Sequence, residues 1–173
     1  MKLHSIVVLA TLACSAPTAW AANYPKLKPG LWEVTIHTNK PSAKAPVKSS
    51  MCLDESVQEE MMQVNQGMQQ RMCSKNSLRN EGGKIVGDAE CTLGTSKMKS
   101  HAVTTFSGDS AYRTETEASY DPPLMGMTQS STTIEGRYVG PCKPGMRPGD
   151  IATGGRTVNV RDFAAHAQEP GKK

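Results

Sequence analysis

The sequence predicts a mainly β (α+β) fold, an antiparallel meander of about seven strands in a curved sheet or partial barrel, with one inserted amphipathic helix. Three observations predict it. Several segments alternate polar and apolar residues with a period of two, and turns rich in glycine, proline and aspartate separate them. One stretch after the second of these segments instead repeats its apolar residues at helical spacing. Strands joined in sequence by short turns favour antiparallel neighbours.

The predicted strands follow one another along the chain. The first starts after the turn Pro29-Gly30 and keeps its apolar residues on one face. Later turns at Gly82-Gly83 and at residues 107–109 each join two strands as a hairpin. The seven predicted strands are residues 31–38, 47–53, 74–80, 84–93, 97–106, 112–120 and 127–139.

The inserted helix is predicted from five apolar residues at intervals of four, three, four and four, which lie on one side of an α-helix. These residues are Val57, Met61, Val64, Met68 and Met72. Residues 56–59 (Ser-Val-Gln-Glu) form a capping box at the N-terminus of the helix. Gly67 is expected to weaken the middle of the helix, so that it bends or ends there.

The N-terminal segment has the pattern of a cleavable secretory signal. Lys2 precedes an uncharged apolar run, residues 6–13, and Ala19-Trp20-Ala21 is the small-x-small pattern that signal peptidase recognises. The run is shorter than the roughly 20 residues that a membrane-spanning helix needs. We therefore expect residues 1–21 to be removed, which leaves residues 22–142 as a disulfide-stapled, periplasmic or secreted domain.

A lipoprotein is the less favoured alternative. The tripeptide Leu12-Ala13-Cys14 resembles the end of a lipid-attachment motif, and such a motif would anchor the chain through Cys14. Thr11 stands where these motifs usually carry a branched aliphatic residue, so the cleavage pattern downstream fits better. No segment after the signal is apolar and long enough to predict a transmembrane helix.

The charge distribution of the mature chain limits the classes of partner that it is expected to bind. The formal net charge of +4 becomes +3 when Lys2 leaves with the signal. Residues 143–173 carry six Lys or Arg and three Asp or Glu, which is +3 by themselves, so residues 22–142 are neutral overall. No basic stripe with interleaved aromatic residues is present, which argues against nucleic acid as a partner. The Pro/Gly-rich basic tail, residues 143–173, is expected to be flexible.

The cysteines predict two structural disulfides. Four remain after signal cleavage, and their spacings of 21, 18 and 51 lack the close pair that a zinc site or a redox-active dithiol needs. They are Cys52, Cys73, Cys91 and Cys142. One pairing joins Cys73 to Cys91 across the Gly82-Gly83 hairpin and leaves Cys52 for Cys142. The other joins Cys52 to Cys73 at the two ends of the helix and leaves Cys91 for Cys142, and it is slightly favoured.

Methionine suggests a candidate metal site. Met125-Gly126-Met127 places two thioethers in one turn, and thioethers are soft ligands that suit Cu(I). His37 or His101 would complete such a site. Packing is the stronger explanation of the methionines, because helical methionines at core spacing fill irregular gaps.

A second candidate site is an apolar cleft between the curved sheet and the Met-rich helix. The favoured alternative is that the helix closes directly on the sheet and leaves no cleft. The sequence contains no nucleophile-elbow, zinc-protease, Ser-x-x-Lys or phosphate-loop motif, so no catalytic residue and no cofactor is predicted.

Several short motifs occur in a recognisable order. Residues 29–35 (Pro-Gly-Leu-Trp-Glu-Val-Thr) precede the first mature cysteine and the helix, residues 106–110 form a Phe-Ser-Gly-Asp-Ser turn, and residues 136–142 read Gly-Arg-Tyr-Val-Gly-Pro-Cys. Over roughly residues 26–145, this order resembles a bacterial domain-of-unknown-function family of small exported proteins that open with Pro-Gly-Leu-Trp-Glu and carry four ordered cysteines. The resemblance implies periplasmic residence in a Gram-negative bacterium and a shared fold, and it brings no activity.

The sequence therefore favours a non-enzymatic binding or envelope-accessory role. The expected partner is an apolar small ligand or an envelope protein. Soft-metal handling, of copper, through methionines is the first alternative, and an unrecognised hydrolase is the second.

Overall fold

The computed structural model of the protein describes residues 24–39 and 45–162. The predicted signal with Cys14 lies outside the described residues, as do residues 163–173 of the predicted tail. In the described part, nine strands form one antiparallel sheet, and a helix of 18 residues, α1 (Glu55–Met72), follows the second strand. The strands are β1 (Gly30–Thr38), β2 (Val47–Leu53), β3 (Cys73–Glu81), β4 (Lys84–Leu93), β5 (Ser96–Ser107), β6 (Ala111–Leu124), β7 (Met127–Gly140), β8 (Asp150–Thr153) and β9 (Arg156–Asn159).

The strands lie in the order β3-β4-β5-β6-β7-β1-β2-β8-β9. Strands β3 to β7 form a meander, and the β1–β2 hairpin attaches to its last strand. The sheet is curved and not closed, so β3 and β9 are its edges. The predicted fold class is confirmed, since the protein is mainly β and all seven predicted strands are present with the helix after the second.

The register divides the side chains of the sheet between two faces. On one face, which we call the apolar face, Trp32 of β1 lies beside Met51 of β2 and Tyr138 of β7. The opposite face, which we call the polar face, carries Glu33 of β1, paired with Arg137 of β7 at 2.6 Å. The period of two in the sequence is therefore the alternation between these faces.

Helix α1 crosses the width of the sheet on its apolar face. It begins after β2 and ends at β3, and six strand spacings, about 29 Å, separate these strands. A helix of 18 residues is about 27 Å long. Asp54, not Ser56, caps it by accepting from the Val57 N–H at 2.8 Å, and the helix continues through Gly67. No helix among the described residues is long and apolar enough to cross a membrane.

The packed core lies under the first turn of α1. Trp32 and Val57 are fully buried, and they pack with Met51 and Leu53. Five partly buried residues pack around this cluster: Leu27, Tyr112, Tyr138, Ile151 and Val160. The later turns of the helix contribute no residue to this cluster, and a second group of buried residues, Ile85, Val86 and Cys91, lies on β4 towards the other edge of the sheet.

Two disulfides are present, as predicted, but the favoured pairing is wrong. Cys52 bonds to Cys142, and Cys73 bonds to Cys91. The error came from expecting the two ends of the helix to lie close together. Because α1 crosses the sheet, Cys52 and Cys73 lie on strands about 29 Å apart, whereas a disulfide needs Cα atoms within about 7 Å.

The expectation of flexibility beyond Cys142 is wrong for the segment that forms β8 and β9. Strand β8 extends the sheet beside β2, and β9 pairs with β8. Asp150 and Asn159 are buried, and Asn159 donates to the Asp150 carboxylate at 2.8 Å. The Gly149 N–H also donates to the Cys52 carbonyl at 2.8 Å, which ties this segment to the strand that carries the disulfide.

Candidate binding cleft

The apolar stripe of α1 is buried at its first residue and exposed afterwards. Val57 is fully buried, yet Met61, Met68 and Met72 on the same side of the helix retain between 37% and 47% of their surface exposed. Val64, between them, is half-buried. A stripe that faces a sheet and packs on it becomes buried along its length. After its first turn, this side of the helix is therefore only partly covered by the sheet.

The apolar face opposite these turns is half-buried at several residues, whereas Ile85 and Cys91 of β4 on the same face are buried. Ile36 of β1, Ile134 of β7 and Met98 of β5 are each partly accessible, and none belongs to the packed core. Leu78 of β3 on the same face is 37% exposed. From these two partly exposed apolar surfaces we infer a cleft between the helix and the sheet, which we call the α1 cleft.

The α1 cleft is closed at one end and held at the other. At the closed end, Tyr112 packs against Trp32 with ring centroids 5.8 Å apart, and burial raises the pKa of the Tyr112 hydroxyl. At the far end, the backbone of α1 comes close to β3 and β4, where the Cys73–Cys91 disulfide joins these strands. The helix is therefore held at both ends, and its methionines between them stay partly exposed.

The floor of the cleft carries hydroxyl groups that satisfy one another. Thr104 of β5 and Thr114 of β6 hydrogen-bond through their hydroxyls at 2.9 Å, and Tyr120 of β6 bonds the Ser130 hydroxyl of β7 at 2.9 Å. All four side chains lie on the apolar face. Because these hydroxyls pair with one another across strands, their hydrogen-bonding capacity is partly satisfied within the sheet. The surface of the floor is therefore less polar than its composition indicates.

The polar face carries ion pairs across neighbouring strands. Arg113 pairs with Glu135 and with Glu115, and Arg79 pairs with Asp88 and with Glu81. Hydrogen bonds from Arg79, and then from His101, hold the pKa of the Asp88 carboxyl below its usual range. Two open depressions of about 930 and 1030 Å³ lie on this face, and side chains from these ion pairs line them. Mutually paired, solvent-exposed charges are typical of a solvated sheet surface.

The structure does not bring the predicted metal ligands together. His37 on β1 and His101 on β5 are separated by three strand spacings, about 14 Å or more. Met125 is 92% exposed in the β6–β7 turn, with Met127 at the start of β7. His101 lies 2.7 Å from Asp88, and His37 lies 4.0 Å from Glu135. In residues 24–39 and 45–162, no three His, Cys, Asp or Glu residues form a group that could hold a metal ion.

Sequence reasoning identified the stripe that forms one wall of the α1 cleft, but it favoured closure of the helix on the sheet. It missed the floor, because Thr104, Thr114 and Ser130 are polar residues in an alternating pattern and give no sign of a binding surface. The signal that bears on the cleft is the length of the helix, which is long enough to cross seven strands.

Comparison with known proteins gives one match. A family model described as "Protein of unknown function (DUF3617)" matches residues 27–142. No curated protein and no solved structure matches the chain. The matched region runs from the segment before β1 to the second cysteine of the Cys52–Cys142 bond, and it therefore includes the core, the helix and both disulfides.

Proposed function

The chain belongs to the DUF3617 family, whose model matches residues 27–142, and we propose that its domain is a non-enzymatic binding module that holds the hydrocarbon chain of an amphipathic ligand in the α1 cleft. The observation that carries the proposal is the exposed stripe of α1 over a half-buried apolar floor. A binding site for an apolar ligand needs such unsatisfied apolar surface on two sides.

The lining favours a flexible hydrocarbon chain over a rigid ring system. Methionine side chains are unbranched and adapt to irregular shapes, so they suit a ligand without fixed contours. The cleft follows a helix about 27 Å long, which favours an extended ligand. The aromatic rings of Trp32 and Tyr112 lie in the closed end, where they pack on one another.

Export supports the same proposal. The predicted signal at residues 1–21 and the two disulfides suit an oxidising compartment, where disulfides persist. We therefore propose that the protein acts in the periplasm or outside the cell. A binding module there would hold amphipathic molecules in an aqueous compartment next to membranes.

The test is a titration of the mature protein with cis-parinaric acid, a fluorescent fatty acid, followed by competition with saturated fatty acids of increasing length. Each buried methylene contributes about 0.8 kcal/mol, so we expect affinity to rise up to about fourfold per methylene until the cleft is filled. Probe binding that does not depend on chain length would contradict a hydrocarbon site.

A matched pair of variants locates the site. Met68→Asp places a charge in the stripe, whereas Met62→Asp places one on the same helix but away from it. Both methionines are exposed, so both variants are expected to fold. We expect Met68→Asp to weaken binding at least tenfold and Met62→Asp to leave it unchanged. Equal effects of the two variants, including no effect of either, would move the site off the stripe, and a wild-type protein that binds no probe would favour an envelope protein as the partner.

A further inference from the structure

Five methionine thioethers are exposed in the described part of the chain, while one is protected. Met125 is 92% exposed, and the four helical methionines are exposed by 37% to 47%. The protected residue is Met51, which is 7% exposed in the packed core. The helical methionines are Met61, Met62, Met68 and Met72. Accessible thioethers react with oxidants, whereas buried ones are shielded.

From this distribution we propose that Met61, Met68 and Met72 are reversible oxidation sites through which hypochlorous acid or hydrogen peroxide empties the α1 cleft. The proposal rests on the proposed function, because it concerns the regulation of that same site. It assigns these three side chains a second property, reactivity, besides their contribution to the apolar lining.

The chemistry is a two-electron oxygen transfer. A sulfur lone pair attacks the oxidant oxygen, the S–O bond forms, and the O–Cl or O–O bond breaks. The sulfide is oxidised to a sulfoxide. Hypochlorous acid is reduced to chloride with release of a proton, and hydrogen peroxide is reduced to water. Methionine sulfoxide reductases, with a thiol as the electron donor, return the sulfide and make the change reversible.

The position of the three methionines turns this reaction into a change of affinity. A sulfoxide is polar and accepts hydrogen bonds, so burying it against a hydrocarbon chain without a donor is unfavourable. The stripe on this side of α1 has five residues, and oxidation changes three of them from apolar to polar. The three are Met61, Met68 and Met72, and the other two are Val57 and Val64. The ligand therefore loses much of one wall of its site.

The fold is expected to survive the same reaction. The core contains Met51 alone among the methionines, and Met51 is shielded. Both ends of α1 are held by contacts that involve no thioether, the Asp54 cap at one end and the Cys73–Cys91 bond near the other. Oxidation thus separates ligand release from unfolding.

The experiment treats the mature protein with limiting hypochlorous acid, maps sulfoxides by peptide mass spectrometry and measures cis-parinaric acid affinity with thermal stability. We expect sulfoxides at Met61, Met68 and Met72 but not at Met51, a loss of affinity of at least tenfold, and an unchanged melting temperature. Treatment with methionine sulfoxide reductases should restore the affinity.

Two variants supply the controls. The triple variant Met61→Leu, Met68→Leu, Met72→Leu keeps only the half-buried Met98 in the cleft and should lose far less affinity on oxidation than the wild type, whereas Met62→Leu with Met125→Leu should stay as sensitive as the wild type. Affinity that persists with the three sulfoxides present, or an equal loss in the triple variant, would overturn the inference and leave the proposed function intact. If the untreated protein binds no probe, the proposed function fails and the inference fails with it.

Discussion

Trp32 anchors the packed end of the sheet through contacts on several sides. Its indole N–H donates to the Lys28 carbonyl at 2.8 Å, and its ring packs against Tyr112 and Tyr138. The Lys28 ammonium lies 4.7 Å from the centre of the Tyr138 ring. The motif residues that gave the family resemblance, 29–35 and 136–142, therefore meet at this end. Their contacts stabilise this end of the sheet.

Gly136 has a packing role that only glycine fills. A Cβ atom at this position would lie 2.2 Å from Cε1 of Tyr112, which itself packs on Trp32. We expect Gly136→Ala to push the tyrosine ring out of the core and to lower the free energy of unfolding by about 1–3 kcal/mol. Urea denaturation followed by the fluorescence of Trp32 measures this.

Gly67→Ala is the matched control, and its expected effect on the free energy of unfolding has the opposite sign. Gly67 lies within α1, and the nearest side-chain atom to an added Cβ is at 3.9 Å. The same substitution there should raise the free energy of unfolding by up to about 1 kcal/mol, because alanine favours the helix. A Gly136→Ala variant as stable as the wild type would show that the tyrosine ring moves without cost.

Soft-metal handling stays a prediction at Met125 and Met127. The two thioethers flank one residue of the β6–β7 turn, and neither candidate histidine lies in that turn. If the turn binds Cu(I), replacing both methionines with Leu should abolish that binding and leave the affinity for cis-parinaric acid unchanged. A competition titration with a chromophoric Cu(I) chelator measures this, and unchanged Cu(I) affinity eliminates the site.

At the scale of elements, strands with clear alternation were predictable from the sequence, and short ones were not. Strands β1 to β7 each show a period of two or a hairpin turn. Strands β8 and β9 have four residues each, in a segment of glycine, proline and charge. Their position depends on pairing with β2, a strand about 100 residues earlier, and a local pattern does not contain such a contact.

The β8–β9 hairpin is held by a buried carboxylate, which makes its stability depend on pH. The Asn159 amide and then the Arg147 N–H donate to Asp150 and hold the pKa of its carboxyl below its usual range. A carboxyl with a lowered pKa stabilises the fold above its unfolded pKa, and this stabilisation is lost as the pH falls through its folded pKa. We expect β8 and β9 to detach in acid before the rest of the sheet.

Hydrogen exchange between pH 7 and pH 3 tests this, since the amides of β8 and β9 should lose protection before those of β6. Asp150→Asn should weaken the hairpin already at neutral pH and remove its acid dependence. Asp109→Asn, in an exposed turn, is the control for the loss of one charge. Acid dependence that persists in Asp150→Asn would assign the effect to another carboxyl.

At the scale of the whole molecule, the α1 cleft depends on two lengths, the length of the helix and the width of the sheet between β2 and β3. The helical stripe was predicted residue by residue, but its distance from the sheet depends on where β2 and β3 lie in the strand order. That order is set by long-range pairing of β1 with β7, about 100 residues apart. The wall of the site was therefore predictable, and the open space beside it was not.

The two disulfides stabilise the whole molecule to different extents, because they close loops of different length. Cys52–Cys142 spans 90 residues and Cys73–Cys91 spans 18. In the chain-entropy description, these loops correspond to about 5 and about 3 kcal/mol respectively. Cys52 is also 2% exposed on the strand that carries Met51 and Leu53 of the core, so its loss disturbs packing as well.

We expect the Cys52→Ala, Cys142→Ala variant to lose more unfolding free energy in urea than the Cys73→Ala, Cys91→Ala variant. The second variant should keep its core but free the far end of α1, and its affinity for cis-parinaric acid should fall. The reverse order of stabilities, or a cleft that binds equally well without Cys73–Cys91, would show that the helix is fixed by its own contacts with β3 and β4 and not by the bond.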